Sequence, residues 1–505
     1  MTTATSASPA WQSLRERLVR RPVVAAVTGL LALSLAACGG GDGSRIGKLD
    51  TSFGRSSDGT PDGMVSLSLG AGNDTARATL VQPDGKILVL GSTTSDGAGT
   101  TSSNILVHRF NADGTPDKTF GADGGNDGTP DGAVALSLGE GDDEGRAIAL
   151  QADGKIVVVG SHTAQDESKN IVVARLNSNG SLDEDGFGQG NDGTPDGYVS
   201  VSLSDGNDVA NAVAIQSDGK ILVAGTASSG SDSNIAVVRL NRDGSLDETG
   251  FGLGTDDGSP AGVVTLSLGD GNDTATGLVV QADDRIVVVG SSTSIVGSSG
   301  SNIVVVRLNP DGGLDTFFGA DGNADGTPDG VVSVNLSNGD DLATAVALQA
   351  DGKILVAGTT SSGSGKNAAI ARLKADGSVD ATFGAGSADG TPDGSVALSL
   401  GDGDDELSAI AVDADGRIVV VGSTTSTGGS SNVFVARLLA DGSLDAEFGQ
   451  DDDGTPDGVV NLSFGNDDDF GRAVALQADG KIVVAGDSKT SDGSFNIALA
   501  RLLVN

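Results

Sequence analysis

The sequence predicts an all-β protein: a seven-bladed β-propeller of four-stranded antiparallel blades, closed by pairing of N-terminal and C-terminal strands. Three observations lead there. One segment of about 65 residues recurs seven times. Inside each copy, short Val/Ile/Leu/Ala-rich runs are separated by Gly/Asp/Asn turns, with no helical period. The two chain ends are also out of step, so that the N-terminal part holds the piece that the C-terminal copy lacks. Self-similarity at such a period means stacked or ring-shaped units, each too small to bury a core alone. A parallel β-helix needs much shorter coils and is the weaker alternative.

The strands can be read off one copy, residues 263–319. Val263 to Leu268 is a β-rich run and Gly269 to Asp273 a turn. Thr276 to Gln281 is a second run, and the Asp283-Asp284 turn leads into a third, Arg285 to Gly290. After a Ser/Gly loop comes Asn302 to Leu308, and Leu314-Asp315 then leads to Phe318-Gly319. That makes four short strands, the content of a propeller blade. The hairpin turn reads Asp-Gly-Lys or Asp-Gly-Arg at Gly85, Gly154, Gly219, Gly352, Gly416 and Gly480, because Gly takes a positive φ without a Cβ clash. Asp284 replaces it in the fourth copy. Phe53, Phe120, Phe187, Phe251, Phe318, Phe383 and Phe448 mark the Phe-Gly dipeptide. In a chain with 3% aromatics they are the main large side chains available to fill the space between blades.

Closure follows from the phase of the ends. The chain enters the repeat at Leu49-Asp50-Thr51-Ser52-Phe53-Gly54, followed by a strand at Met64 to Leu69, and it ends after the strand Asn496 to Leu503. The spare N-terminal strand therefore completes the seventh blade, which removes the exposed edges of an open array.

The first segment stands apart from the fold. Arg15, Arg17, Arg20 and Arg21 precede an apolar stretch from Pro22 to Ala37, too short to span a bilayer comfortably. It ends in Leu35-Ala36-Ala37-Cys38, which resembles a bacterial lipobox, and Cys38 is the chain's only cysteine. The resemblance implies a lipoprotein signal peptide over 1–37 that is removed, lipidation at Cys38, a Gly-rich tether over 38–47 and the propeller over 48–505. It also implies a bacterial cell-envelope location, at the outer membrane if the cell is Gram-negative, because Gly39 and not Asp follows the cysteine. A single cysteine leaves no intrachain disulfide.

The formal net charge is −39, and loss of residues 1–37, with four Arg and one Glu, brings it to −42. Such a charge repels phosphate backbones, so nucleic acid is not expected as a partner, and membrane contact is expected through the lipid anchor only. Of the 69 acids 61 are Asp, a residue of turns and caps. The charge thus belongs to loops.

The repeat resembles the delta-60 repeat family of bacterial β-propellers. The matching residues in one copy are Gln151-Ala152-Asp153-Gly154-Lys155-Ile156, Val172-Val173-Ala174-Arg175-Leu176-Asn177, and Ser181-Leu182-Asp183 through Phe187-Gly188. The likeness extends over roughly residues 48–505. It implies the propeller fold and an extracytoplasmic placement, and it brings no catalytic residues with it.

Three constellations are candidates for chemistry. The first is the periodic set Arg109, Arg175, Arg239, Arg307, Arg372, Arg437 and Arg501, matched by Asp50, Asp117, Asp183, Asp247, Asp315, Asp380 and Asp445. Arg binds carboxylate through a planar fork, so these pairs are expected to tie blades or loops together, and a ring gripping an anionic ligand is the alternative. A further periodic acid precedes the next strand at Asp74, Asp143, Asp208, Asp273, Asp341, Asp405 and Asp469. The second is the Asp-Gly-Thr-Pro-Asp-Gly segment. Asp321, Asn323, Asp325 and Asp329 have the spacing of the first half of a calcium loop, but Val332 stands at the closing Glu position. Asp123, Asp127 and Asp131 keep part of the pattern, as do Asp451, Asp453 and Asp457; a plain β-turn is the competing reading. Ca²⁺ is thus the only cofactor the sequence suggests. The third, Leu268 to Ala275, looks like one RTX nonapeptide, but that chemistry needs tandem units.

No catalytic set emerges. Only His108 and His162 are present, and neither a Walker loop nor zinc spacing occurs. The expected role is a lipid-anchored binding or scaffold module for a protein or polysaccharide partner, acting as a monomer and not as an enzyme. The alternatives are an envelope hydrolase or lyase on a propeller scaffold, and a Ca²⁺-dependent adhesion or structural protein. Sequence variation is greatest in the Ser/Gly/Thr loops at 92–103, 161–169 and 291–301, where partner contact is expected.

Overall fold

The computed structural model describes residues 46–54, 62–69, 72–94, 102–121, 131–138, 141–164, 166–188, 194–230, 232–252, 261–293, 300–319, 329–362, 365–384, 393–401, 403–426, 429–449, 457–465 and 467–504. The proposed signal peptide, Cys38 and most of the tether lie outside these residues.

The described strands form seven four-stranded antiparallel sheets, the blades of a closed ring. Blade four is typical, with strands Asp273–Val280, Ile286–Ser292, Asn302–Leu308 and Val331–Val334. The first strand is innermost: the first strands of neighbouring blades lie side by side around the axis. These are Asp74–Val81, Asp143–Leu150, Asp208–Ile215, Asp273–Val280, Asp341–Leu348, Asp405–Val412 and Asp469–Leu476. The fourth strand is outermost and only four residues long, a short edge that offers little to a neighbouring chain.

Blade and sequence repeat differ in phase by one strand. Val263–Leu266, read as opening a copy, pairs with Asp232–Leu240 and completes blade three. The same offset closes the ring. Blade seven takes Asp469–Leu476, Ile482–Lys489 and Phe495–Leu502 from the C-terminus and Met64–Leu67 from the N-terminus, with Met64 opposite Ala500 and Leu67 opposite Ile497. Beyond the strand, the Gly47 amide donates to Leu503 and the Asp50 amide to Arg501.

The apolar runs are buried because each blade is covered on both faces by its neighbours. Val287, Val289, Ile303 and Val305 of blade four pack with Ile354, Val356, Ala369 and Ala371 of blade five, while Ile286, Val288, Val304 and Val306 pack with blade three. This explains unbroken Ile-Val-Val-Val runs where a half-exposed strand would alternate. The seven repeat phenylalanines are fully buried between blades: Phe120 packs with Leu88 and Leu90 of blade one and with Ile156 and Val158 of blade two.

Every first strand carries a β-bulge directly before its last four residues, as between Ala76 and Ala78 or Ala275 and Gly277. The bulge brings backbone onto the second strand so closely that only glycine fits opposite. A Cβ on Gly290 would lie 1.7 Å from the Thr274 carbonyl oxygen.

Candidate functional site

Antiparallel connection within each blade divides the described residues between two ends of the ring. One end holds the turns after the first strands and the segments from third to outer strands, with the Asp-Gly-Lys, Leu-Asp and Phe-Gly motifs. The other holds the Ser/Gly loops between second and third strands and the links from outer strands to the next blade.

At the first end the periodic arginines form a joint between blades. Arg109, Arg175, Arg239, Arg307, Arg372, Arg437 and Arg501 lie 2.6–2.9 Å from Asp117, Asp183, Asp247, Asp315, Asp380, Asp445 and Asp50 respectively. Each guanidinium also stands over its repeat phenylalanine, 4.4–4.7 Å from the ring centroid. A further guanidinium nitrogen crosses to the following blade. Arg109 donates to the Ser178 carbonyl at 2.5 Å, and Arg175, Arg239, Arg307 and Arg372 repeat the contact on Arg242, Pro310, Ala375 and Ala440. Arg501 donates to Ala112, which joins the last blade to the first. The Phe-Gly amide runs parallel, as in Gly121 to the Asn179 carbonyl. Gly180 must remain bare for this approach, since a Cβ there would be 2.8 Å from the Gly121 nitrogen.

A second cation on each aspartate was not anticipated from sequence. The hairpin cation Lys86, Lys155, Lys220, Arg285, Lys353, Arg417 or Lys481 sits 2.7–3.6 Å from the same carboxylate. The signal was available, because a lysine or arginine directly follows the hairpin Gly, or Asp284 in the fourth copy, in all seven copies. Burial pushes the Asp380 carboxyl up, but the Thr382 hydroxyl and amide with Arg372 and Lys353 outweigh it and hold the pKa at about 2. Asp50 is likewise held at about 2 by Ser52, Arg501 and Lys481 against its burial.

At the second end the other periodic acids are buried caps. Asp74 accepts from the Leu69 amide at 2.6 Å and from the Thr93 hydroxyl at 2.6 Å, and Asp341 accepts from Leu336 and Thr360 in the same way. Burial outweighs these bonds and raises the Asp74 pKa. The two histidines are placed differently. His108 is buried and stacked on Phe110 with centroids 4.2 Å apart. His162 reaches Ser200, Nε2 to Oγ 2.7 Å, and Asp143 is its cross-strand neighbour, yet among the described residues neither His162 Nδ1 nor Asp143 Oδ1 has a hydrogen-bond partner. The three therefore do not form a nucleophile–base–acid relay.

Of the residues suggested for calcium, Asp123, Asp127, Asp321, Asn323, Asp325, Asp451 and Asp453 lie outside the described residues. Asp131, Asp329 and Asp457 are described, and Asp457 accepts from the Val459 amide at 2.9 Å as a turn residue does. The resemblance to Leu35-Ala36-Ala37-Cys38 likewise concerns residues outside the description.

The bulge of the first strands breaks the symmetry. Asn211, Thr276, Thr344 and Ser408 occupy it in blades three to six, whereas Arg472, Arg77 and Arg146 occupy it in the adjoining blades seven, one and two. Sequence periodicity hides this set, because it is defined by departure from the repeat.

A family comparison agrees with the fold. The model of a β-propeller family described as a domain of unknown function, DUF5122, matches seven segments: residues 82–120, 151–185, 216–249, 281–318, 349–383, 414–448 and 477–505. The delta-60 repeat is related to this family. No curated protein matches the chain. Similar solved structures include a protein of unknown function from Dyadobacter fermentans, with 11% identity, a TM-score of 0.41 and coverage of 88% of this chain and 98% of that one. A polysaccharide lyase has 10% identity, a TM-score of 0.47 and coverage of 85% and 90%. Drosophila plexin A, in complex with semaphorin 1b, has 10% identity, a TM-score of 0.39 and coverage of 84% and 85%.

Proposed function

We propose that this chain of seven DUF5122 β-propeller repeats is a lipid-anchored cell-envelope module that binds or scaffolds a partner and does not catalyse a reaction. The observation that carries this reading is the engagement of the repeat's charged residues. Each periodic Arg is occupied by its own aspartate and its own phenylalanine ring, and Arg109, Arg175, Arg239, Arg307, Arg372 and Arg501 also bond to the following blade's backbone. What recurs seven times thus serves as the joint of the ring, so any partner is met where the repeats differ. The described strand ends that flank the variable loops between second and third strands stand at the end opposite these joints, and a partner is expected there. The Leu35-Ala36-Ala37-Cys38 segment supports the anchor.

Labelling cells that express the chain with palmitate tests the anchor. Label is expected in the wild type and absent from Cys38→Ala, which should also leave the membrane fraction. Equal labelling and membrane retention of Cys38→Ala would overturn the reading.

A further inference from the structure

We propose that Arg472, Arg77 and Arg146 form an anion-binding site on the inner wall of the ring, which takes a small ligand through a carboxylate, sulfate or phosphate group. This deepens the binding-module reading, on which it rests, by naming a site and a ligand chemistry.

The site is built by the fold. The three arginines occupy the same bulge position on first strands that neighbour one another around the axis, yet they are about 70 residues or several hundred residues apart in sequence. A bulge residue leaves the strand ladder, so its side chain is free to reach sideways. In blades three and four it does so, where Asn211 donates to the Ala275 carbonyl and Thr276 to Ala343 of the following first strand. Replacing these short neutral groups by arginine in three consecutive blades puts three guanidinium groups in one sector of the wall.

The central arginine has no counter-ion of its own. Arg472 pairs with Asp487 at 2.8 Å, and Arg146 with Glu144 at 2.9 Å. Among the described residues Arg77 makes no ion pair. The flanking pairs also fix the frame. Asp487 stands where other blades place Ser or Thr, and its other oxygen accepts from the Ala76 amide at 2.7 Å, next to Arg77. Lys169 holds Glu144 from the other side at 2.7 Å. Three arginines thus face two carboxylates, a local positive excess in a chain of net charge −39.

Electrostatics points the same way. Arg77 is exposed to the bore, but the surrounding wall still removes water from it, and Arg472 and Arg146 add their repulsion; together they hold its pKa below the ordinary arginine value. An oxyanion placed among the three would relieve that repulsion through charge-assisted, forked hydrogen bonds. The unpaired side chain is exposed, so its removal leaves no buried group unsatisfied.

Isothermal titration of the full chain with inorganic phosphate, inorganic sulfate and galacturonate, each at the same ionic strength, tests the site. Saturable one-to-one binding of at least one of them is expected, and the order of the three separates a planar carboxylate from a tetrahedral anion. Arg77→Gln should weaken the binding about tenfold or more, as expected for loss of a charged hydrogen-bond partner. Arg146→Gln should weaken it as well, and gives a second readout if the first variant melts early. Lys118→Gln, at an exposed position on the far end of blade one, should leave it unchanged. Absence of saturable binding of all three anions, or equal affinity in wild type, Arg77→Gln and Arg146→Gln, or an equal loss in Lys118→Gln, would overturn the proposal. Palmitate labelling reads the anchor alone, so either result can fail while the other stands.

Discussion

His108 shows how far one residue can depart from a repeat. Its position is Ala174, Val238, Val306, Ala371, Ala436 or Ala500 in the other blades, so the pocket is apolar by design of the repeat. Burial lowers the pKa from 6.5 to about 4, and the Nδ1 atom has no hydrogen-bond partner. The unfolded chain takes up a proton below about pH 6.5, whereas the folded chain refuses it until about pH 4, so the unfolded state binds more protons between these values. The contribution of His108 is thus fully present above pH 6.5 and is lost as pH falls towards 4, on the order of 3 kcal/mol in all. Urea unfolding at stepped pH should show this slope in the wild type and a flatter one in His108→Ala; equal slopes would show that the imidazole is not kept neutral. Asp284 is a milder departure. At φ 61° it takes the left-handed conformation that Gly85 and Gly154 adopt in the same turn, which Asp tolerates better than most residues.

At the scale of the element, the Arg–Asp–Phe joint explains how identical blades lock without disulfides. The pair is buried, so its value lies less in net attraction than in the penalty for leaving one member alone. Arg175 and Asp183 are 6% and 4% exposed, too little for water to replace the missing partner. Arg175→Met is therefore expected to destabilise the chain by about 3 kcal/mol, and Arg175→Met combined with Asp183→Asn to recover part of the loss. Chemical denaturation of the three proteins measures both effects. A double variant no better than the single would mean that the bond to the Arg242 carbonyl and the ring contact, and not the charge pair, hold the joint. The hairpin lysine makes the same aspartate a three-residue node, and Lys155 stays partly exposed there with its charged end 2.7 Å from Asp183.

The whole molecule depends on one mixed blade. Met64–Leu67 covers the edge of Phe495–Leu502, and Arg501 links Asp50 of its own blade to Ala112 of the first. Removing residues 46–69 should expose that edge, lower the melting temperature and promote self-association, which calorimetry and size-exclusion chromatography would register; an unchanged monomer with unchanged melting would show that the strand is dispensable. Much of this was legible beforehand. The Ile-Val-Val-Val and Asn-Ile-Val-Val-Ala-Arg runs marked strands, seven Phe-Gly marks counted blades, and the spare strand after Phe53 located the closure. These are properties of period and phase, which a linear sequence carries in full. The bulge arginines and the second cation on each aspartate were not read, and strand bounds ran past their ends, as with Leu69 against Leu67. Blade number, closure and the residues of the joint thus belong to the sequence by itself. Tertiary structure alone decided that Arg472, Arg77 and Arg146 stand together, because ring closure makes the last blade a neighbour of the first, and adjacency around an axis has no counterpart in distance along the chain.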